Sequence, residues 1–267
     1  MSVASSNSIP LAPAHPRIVV LCTGSPLAAM FINGIRKRFP DAVMLREEPE
    51  SKLAILRRRG RLIGWTQAIG QAAFGVVAKM IGKRSAPRLA EIMETYDLDP
   101  QPHCRQSWIE VGSVNSEACR AALIAAKPDV VLVYGTRILK SATLACVAAP
   151  FINYHAGYNP LYRGQHGAYW ALVSGDRDHA GLTIHLVDEG VDTGGVLYQS
   201  VSQFTPADNI ATYQYRQMAD AIPLMIRAAD DALAGRLQVQ RNPLPSKQWF
   251  MPTVWGYFRA GLAKGIW

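Results

Sequence analysis

The chain has 267 residues, 49% of them apolar and only 18% charged, which is enough to bury one large core or two small ones and excludes an intrinsically disordered protein. Its 28 Lys and Arg against 20 Asp and Glu give a formal net charge of +8, which favours anionic partners without distinguishing phosphates, nucleic acid and lipid head groups. Cys22, Cys104, Cys119 and Cys146 are widely separated and form no C-x-x-C or C-x-x-H spacing, so neither a metal site nor a disulfide framework is expected, and a cytoplasmic location fits.

Residues 1–16 mix Ser, Ala and Pro without the basic start and apolar stretch of a secretory signal, and read as a disordered tail. The run 17–23 is short and rich in Val and Ile; it ends in Gly24, Ser25 and Pro26, after which LAAMFINGIRKRF has apolar residues at helical spacing, predicting strand, tight turn and helix. A second short strand is expected over 42–45, and residues 49–96 read mainly as a helical insertion. Inside it, the longest uncharged run, between Arg61 and Lys79, contains three Gly, two Gln and a Thr. It stands at the short limit of the roughly 17 to 25 residues a membrane span requires. Arg57, Arg58, Arg59 and Arg61 precede it, Lys79, Lys83, Arg84 and Arg88 follow it, and no acidic residue falls between Lys52 and Arg88. A helix lying on a membrane surface is one reading of this pattern. The expected one is a helix packed on its own protein or facing substrate, with no membrane contact.

Ser116 is a predicted N-cap for ACRAALIAAK, and Pro128 and Asp129 stop that helix before VVLVY, a run typical of buried parallel strands. Further strands are expected over 151–154, 181–187 and 196–204, then a long helix over 209–234 closed by Gly235. The alternation predicts an α/β fold: a mostly parallel sheet flanked by helices, with the helical insertion and a short C-terminal helical and aromatic extension. Residues 17–205 are expected to form the catalytic domain, with 206–267 packed on it. Ligands in such sheets bind beyond the carboxyl ends of the strands.

Familiar nucleotide motifs are missing. Gly24 opens G-S-P-L-A-A rather than G-x-G-x-x-G, and Gly70 and Gly75 have phosphate-loop spacing but are followed by Val76 and Val77 instead of Lys and Ser or Thr. There is no G-x-S-x-G elbow, and Asp188, Glu189 and Asp192 lack the spacing of a calcium loop.

The informative stretch is 151–199. A strand ending in Asn153 and His155 puts both side chains on one face where the chain leaves the sheet. The next loop contains Gly157, Asn159, Pro160 and Gly164, and a second, over 188–195, sets Asp192 among glycines. An amide that can hold an oxyanion, an imidazole that can move a proton and a carboxylate that can orient it suit acyl transfer without a covalent intermediate. Taken singly, each residue also has an ordinary reading: a turn-closing Asn, a satisfied buried His, an Asp bonded to its own turn.

The order N-x-H-x-G, P-x-Y-R-G, G-x-T-I-H, D-x-G-x-D-T-G resembles the folate-dependent formyltransferase family, densely over about fifty residues and more weakly over 17–150. The resemblance implies a Rossmann-like formyltransferase fold, 10-formyltetrahydrofolate as one-carbon donor, no metal, and a catalytic trio of Asn153, His155 and Asp192. It implies a folate pocket from Tyr134, Gly135, Ile138 and Leu139, in a segment resembling the family's, with Asp188, Gly190 and Val191. It further implies acceptor contacts from Gly24, Ser25, Pro26, Tyr162, Arg163, Gly164 and His166. Asn153 and His155 are both expected to donate to the formyl oxygen; the proton carrier is left open among Asp192, His155 and a water. His185 is assigned to structure.

The family divides by acceptor amine. The first turn and P-x-Y-R-G depart from glycinamide ribonucleotide transformylases, and the segment after 204 reads as one helix and a tail where methionyl-tRNA formyltransferases carry a further domain. The expected acceptor is therefore a small anionic amine, a nucleotide-linked amino sugar first, with glycinamide ribonucleotide or another amine as alternative. Nucleic acid is not expected as a partner, and a homodimer is compatible. A binding or membrane-peripheral protein on the folate fold is the alternative from another class. The acid-free C-terminal segment PLPSKQWFMPTVWGYFRAGLAKGIW either covers the acceptor site or packs a core or interface through its aromatic residues.

Overall fold

The computed structural model describes residues 15–102 and 108–267; the expected tail, except His15 and Pro16, lies outside the described residues, as does Cys104. The chain begins with β1 (Ile18–Cys22), α1 (Pro26–Arg38) and β2 (Val43–Glu47). Ser25 starts α1 by accepting a hydrogen bond from the Ala28 N–H, with Pro26 at the first helical position, where its missing N–H costs nothing. The helical insertion is built of three helices: α2 (Lys52–Ile63), α3 (Trp65–Arg84) and α4 (Ala86–Thr95). Gly64, at φ 85°, makes the first break, a conformation that favours glycine.

After β3 (Trp108–Val111), a strand the sequence reading had not foreseen, come α5 (Glu117–Ala126), β4 (Val130–Tyr134), α6 (Ser141–Leu144) and β5 (Phe151–His155). Ser116 caps α5 through the Cys119 N–H, as expected. The second half holds β6 (Arg163–Gly164), α7 (Gly167–Ser174), β7 (Gly181–Leu186), β8 (Val196–Val201), α8 (Tyr213–Leu233), β9 (Gln248–Trp249) and α9 (Val254–Lys264).

Seven of these strands form one sheet in the order β3-β2-β1-β4-β5-β7-β8; the first five are parallel, and β7 and β8 run antiparallel to their neighbours. Every residue of β1 is buried, as expected for a strand covered on both faces. One face packs Val20, Met44, Leu132 and Ile152 against α1 and α8; the other packs Val19, Leu45, Val131 and Phe151 against α5. A third cluster, with Phe74, Tyr162, Tyr169, Tyr213 and Tyr257, joins α3, α7, α9 and the start of α8. The strand order reverses between β1 and β4, which opens a crevice at the carboxyl edge there.

Helices α1 and α8 meet through Gly34, where an added Cβ would lie 2.6 Å from Cδ1 of Ile222. Gly34→Val should therefore overpack the contact and destabilise the protein by about 1–3 kcal/mol, seen as a lower urea midpoint at unchanged slope; an unchanged midpoint would contradict this packing.

Candidate active site

The crevice continues into a cleft of about 950 Å³ at the carboxyl edge. Asn153 and His155 reach it from the last residues of β5, on the opposite face from Ile152 and Tyr154, because strand side chains alternate. Asn153 sits directly across from His185 in the antiparallel β5–β7 pair. Its Nδ2 lies 3.0 Å from His185 Nε2, and His185 Nδ1 lies 2.7 Å from the Leu186 carbonyl oxygen. That carbonyl only accepts, so Nδ1 carries the hydrogen and the Nε2 lone pair accepts from the Asn153 amide. His185 Nε2 is also 3.5 Å from Asp192 Oδ1; a proton there would exchange the Asn153 contact for an ion pair.

His155 is turned inward. Its Nε2 lies 2.8 Å from the Tyr162 carbonyl oxygen, its Nδ1 3.4 Å from Asp192 Oδ2, and it is buried. This corrects the expectation that it donates to the formyl oxygen beside Asn153: both ring nitrogens already face protein acceptors. Gly157 makes the arrangement possible, since a Cβ there would lie 2.4 Å from Nε2.

Asp192 comes from the β7–β8 connection with φ 52°, in the left-handed region that Asp tolerates better than most side chains. It is tied from both ends: the Gly164 N–H donates to Oδ2 at 2.9 Å, and Asn159 Nδ2 donates to its carbonyl at 3.0 Å. Burial alone would push its carboxyl up. The imidazoles of His155 and His185 facing its oxygens, together with the Gly164 N–H, outweigh that and hold it well below the usual carboxylate range. The Asn159 loop is fixed in turn by Thr183, whose hydroxyl donates to the Gly157 carbonyl and accepts from the Asn159 N–H.

Tyr134, Gly135, Ile138, Leu139, Asp188, Gly190 and Val191 line the cleft, as do Ser25, Gly164 and His166. Gly24, Pro26, Tyr162 and Arg163 do not line it. Arg163 donates to the Val191 carbonyl at 2.7 Å and borders a separate cavity of about 200 Å³ behind the Asp192 loop. The Tyr162 hydroxyl is bonded to Asp176. His185, assigned to structure from the sequence, lines the cleft through cross-strand register; Arg58, Arg59 and Leu62 reach it from α2, and Trp249 and Phe250, in the aromatic segment for which cover of the acceptor site was one expectation, reach it from β9 and just beyond. Strand β9 pairs with β6, and Trp249 stacks on Trp170, so part of the aromatic extension lies beside the site.

Arg59 makes no ion pair within 4.0 Å among the described residues, though the Glu50 charge acts on it from farther away; Nη2 donates to Gln165 at 3.3 Å. Burial and the neighbouring Arg58 charge lower its pKa. Burial, with the Arg59 charge added, also pushes His166 down to about 4. Among the described residues no group of three or more His, Cys, Asp or Glu is placed to hold a metal ion, and no helix is long and apolar enough to cross a membrane.

A family model described as formyl transferase matches residues 69–228. A methionyl-tRNA formyltransferase from Verminephrobacter eiseniae is 37% identical over 123 residues, 45% of this chain and 37% of that protein, so the chain spans little more than a third of that relative. Glycinamide ribonucleotide transformylase 1 from Symbiobacterium toebii has a similar fold, with TM-score 0.54, 21% identity and coverage of 88% of this chain and 96% of that one. So does an N-formyltransferase from Helicobacter canadensis solved with folinic acid and dTDP-3-aminofucose, with TM-score 0.53, 13% identity and coverage of 86% and 70%.

A carboxylate whose folded pKa lies below its unfolded one stabilises the fold above the unfolded value and ceases to do so as pH falls through the folded value. The stability difference between the parent and Asp192→Asn should therefore be constant from neutral pH down to about pH 4 and shrink only in stronger acid. Denaturant titrations at several pH values measure it; a difference that closes near neutrality would contradict the site's electrostatics.

Proposed function

The chain belongs to the formyl transferase family, and on that premise we propose that it transfers a formyl group from 10-formyltetrahydrofolate to the primary amine of a small anionic acceptor, with a nucleotide-linked amino sugar as the favoured class. The observation that carries this reading is the meeting of Asn153, His155, His185 and Asp192 on one cleft wall. Bound 10-formyltetrahydrofolate supplies a formyl group activated by its attachment to nitrogen. The donor set suits a flat heterocycle: Val133, Ile138, Leu139, Val187 and Val191 give apolar walls beside the backbone of the 135–139 and 187–192 segments.

Asn153 gives one N–H to His185, and its second is available to the formyl oxygen, where negative charge gathers as the amine attacks. A donor so placed contributes about 3–4 kcal/mol to lowering the barrier. Asp192, ionised far below neutrality, is too weak a base to take the amine proton; its carboxylate instead stands between His155 and His185. The proton lost by the attacking amine is the one the departing folate nitrogen gains, and Asp192, with the Tyr162 carbonyl, fixes the His155 ring. Arg59, half-buried and making no ion pair within 4.0 Å among the described residues, supports an anionic group on the acceptor.

A second reading has its own support: the relative matched by sequence is a methionyl-tRNA formyltransferase, and a charged tRNA is also an anionic amine carrier. Release of tetrahydrofolate, with the acceptor's mass followed for one added formyl group, separates nucleotide-linked amino sugars, glycinamide ribonucleotide and charged tRNA. Asn153→Ala should lower kcat by about 10²–10³-fold; retention within about threefold would sink the oxyanion role. Arg59→Ala should raise KM for the acceptor several-fold with little change in kcat, and an unaltered KM would remove Arg59 from acceptor binding.

A further inference from the structure

Helix α3 buries Ala68, Gln71 and Phe74 toward the protein, yet its opposite side is also apolar. Trp65, Ile69, Val76 and Met80, at i, i+4, i+11 and i+15, fall on one stripe, and all four are exposed, Val76 by 63%. The adjoining helices extend the exposure. Leu62 at the end of α2 is 75% exposed, and α9, which packs on α3 where Trp255 covers Gly70, exposes Phe258 and, at 82%, Leu262. An apolar surface of this extent marks an interaction site.

Charge selects the occupant. Residues 51–90 and 232–267, which contain α2, α3 and α9, hold fourteen of the 28 Lys and Arg and none of the 20 Asp and Glu, leaving the rest of the chain at −6. Arg57, Arg61, Lys79, Lys83, Arg84 and Arg259 are exposed. A second copy packed face to face through the same helices would bring like charge against like charge. A nucleic acid would pair with the basic residues and leave Leu62, Ile69, Val76 and Leu262 in water. An anionic surface with an apolar interior satisfies both.

We propose that α2, α3 and α9 dock the protein on an anionic lipid bilayer, with the apolar stripe inserted at the head-group boundary and the flanking Lys and Arg on lipid phosphates. Because Leu62 and Phe250 line the cleft as well as being exposed, docking sets the cleft mouth beside the bilayer. The binding itself is independent of any formyl transfer.

Co-sedimentation of the full chain with vesicles of phosphatidylcholine containing phosphatidylglycerol, against phosphatidylcholine alone, tests it over a salt series. Expected are binding to the anionic vesicles, weakening with salt, and at most a trace on the neutral ones. Ile69→Glu with Val76→Glu should weaken binding about tenfold or more. Lys79→Glu with Lys83→Glu should do so at low salt, both variants keeping the parent's circular dichroism and tetrahydrofolate release. No binding at low salt, equal binding to both vesicle types, or a dimer that Val76→Glu dissociates would overturn the proposal.

Discussion

A carboxylate taken out of water must be satisfied by whatever chain surrounds it, and two such groups dictate where the loops of the carboxyl edge go. Glu47, only 2% exposed at the end of β2, accepts from the Val114 N–H at 2.9 Å and from the Arg137 N–H at 2.8 Å, and pairs with the Arg137 guanidinium at 3.0 Å. It thereby binds the ends of β3 and β4 together and sets the 135–139 segment that forms one wall of the cleft. Asp192 does the same for the opposite wall, holding Gly164, His155 and His185 around one side chain. Loss of either charge would remove the acceptor that the joined loops share.

The sheet supplies what the carboxylates organise. Parallel strands deliver β1, β4 and β5 to a common edge, while the antiparallel β7–β8 pair returns the chain to that edge through a short connection. His185 becomes part of the site only because β7 runs against β5 and matches it to Asn153. Two non-glycine residues at the site, Asp192 and His166, have positive φ, which places backbone strain where the reaction is proposed to occur.

Much of this was legible in the sequence because it rests on local signals. The strand at β1, the Ser116 cap and the parallel run at β4 each follow from burial pattern or cap chemistry within a few residues. Asn153 and His155 were readable from strand period and Asp192 from its glycine-rich surroundings, while the order of the motifs joined them. His185 was not, since its partner depends on register between strands thirty residues apart. Nor was the inward turn of His155, which depends on the space left by Gly157 and on the Tyr162 carbonyl. Arg163 was an acceptor contact by resemblance, and only the fold reveals that the Val191 carbonyl engages it. Glu47 carried no motif at all; its importance arises from burial alone.

The uneven distribution of charge has a consequence that precedes any contact. With ten Lys and Arg and no Asp or Glu on α2, α3 and α9, the molecule carries a positive pole there. A small anion diffusing nearby is drawn to that pole over distances comparable with the Debye length. Arg58 and Arg59 put the entrance of the cleft at the attracting pole, so the search for the site is shortened from a whole surface to a fraction of it, and the gain fades as salt rises.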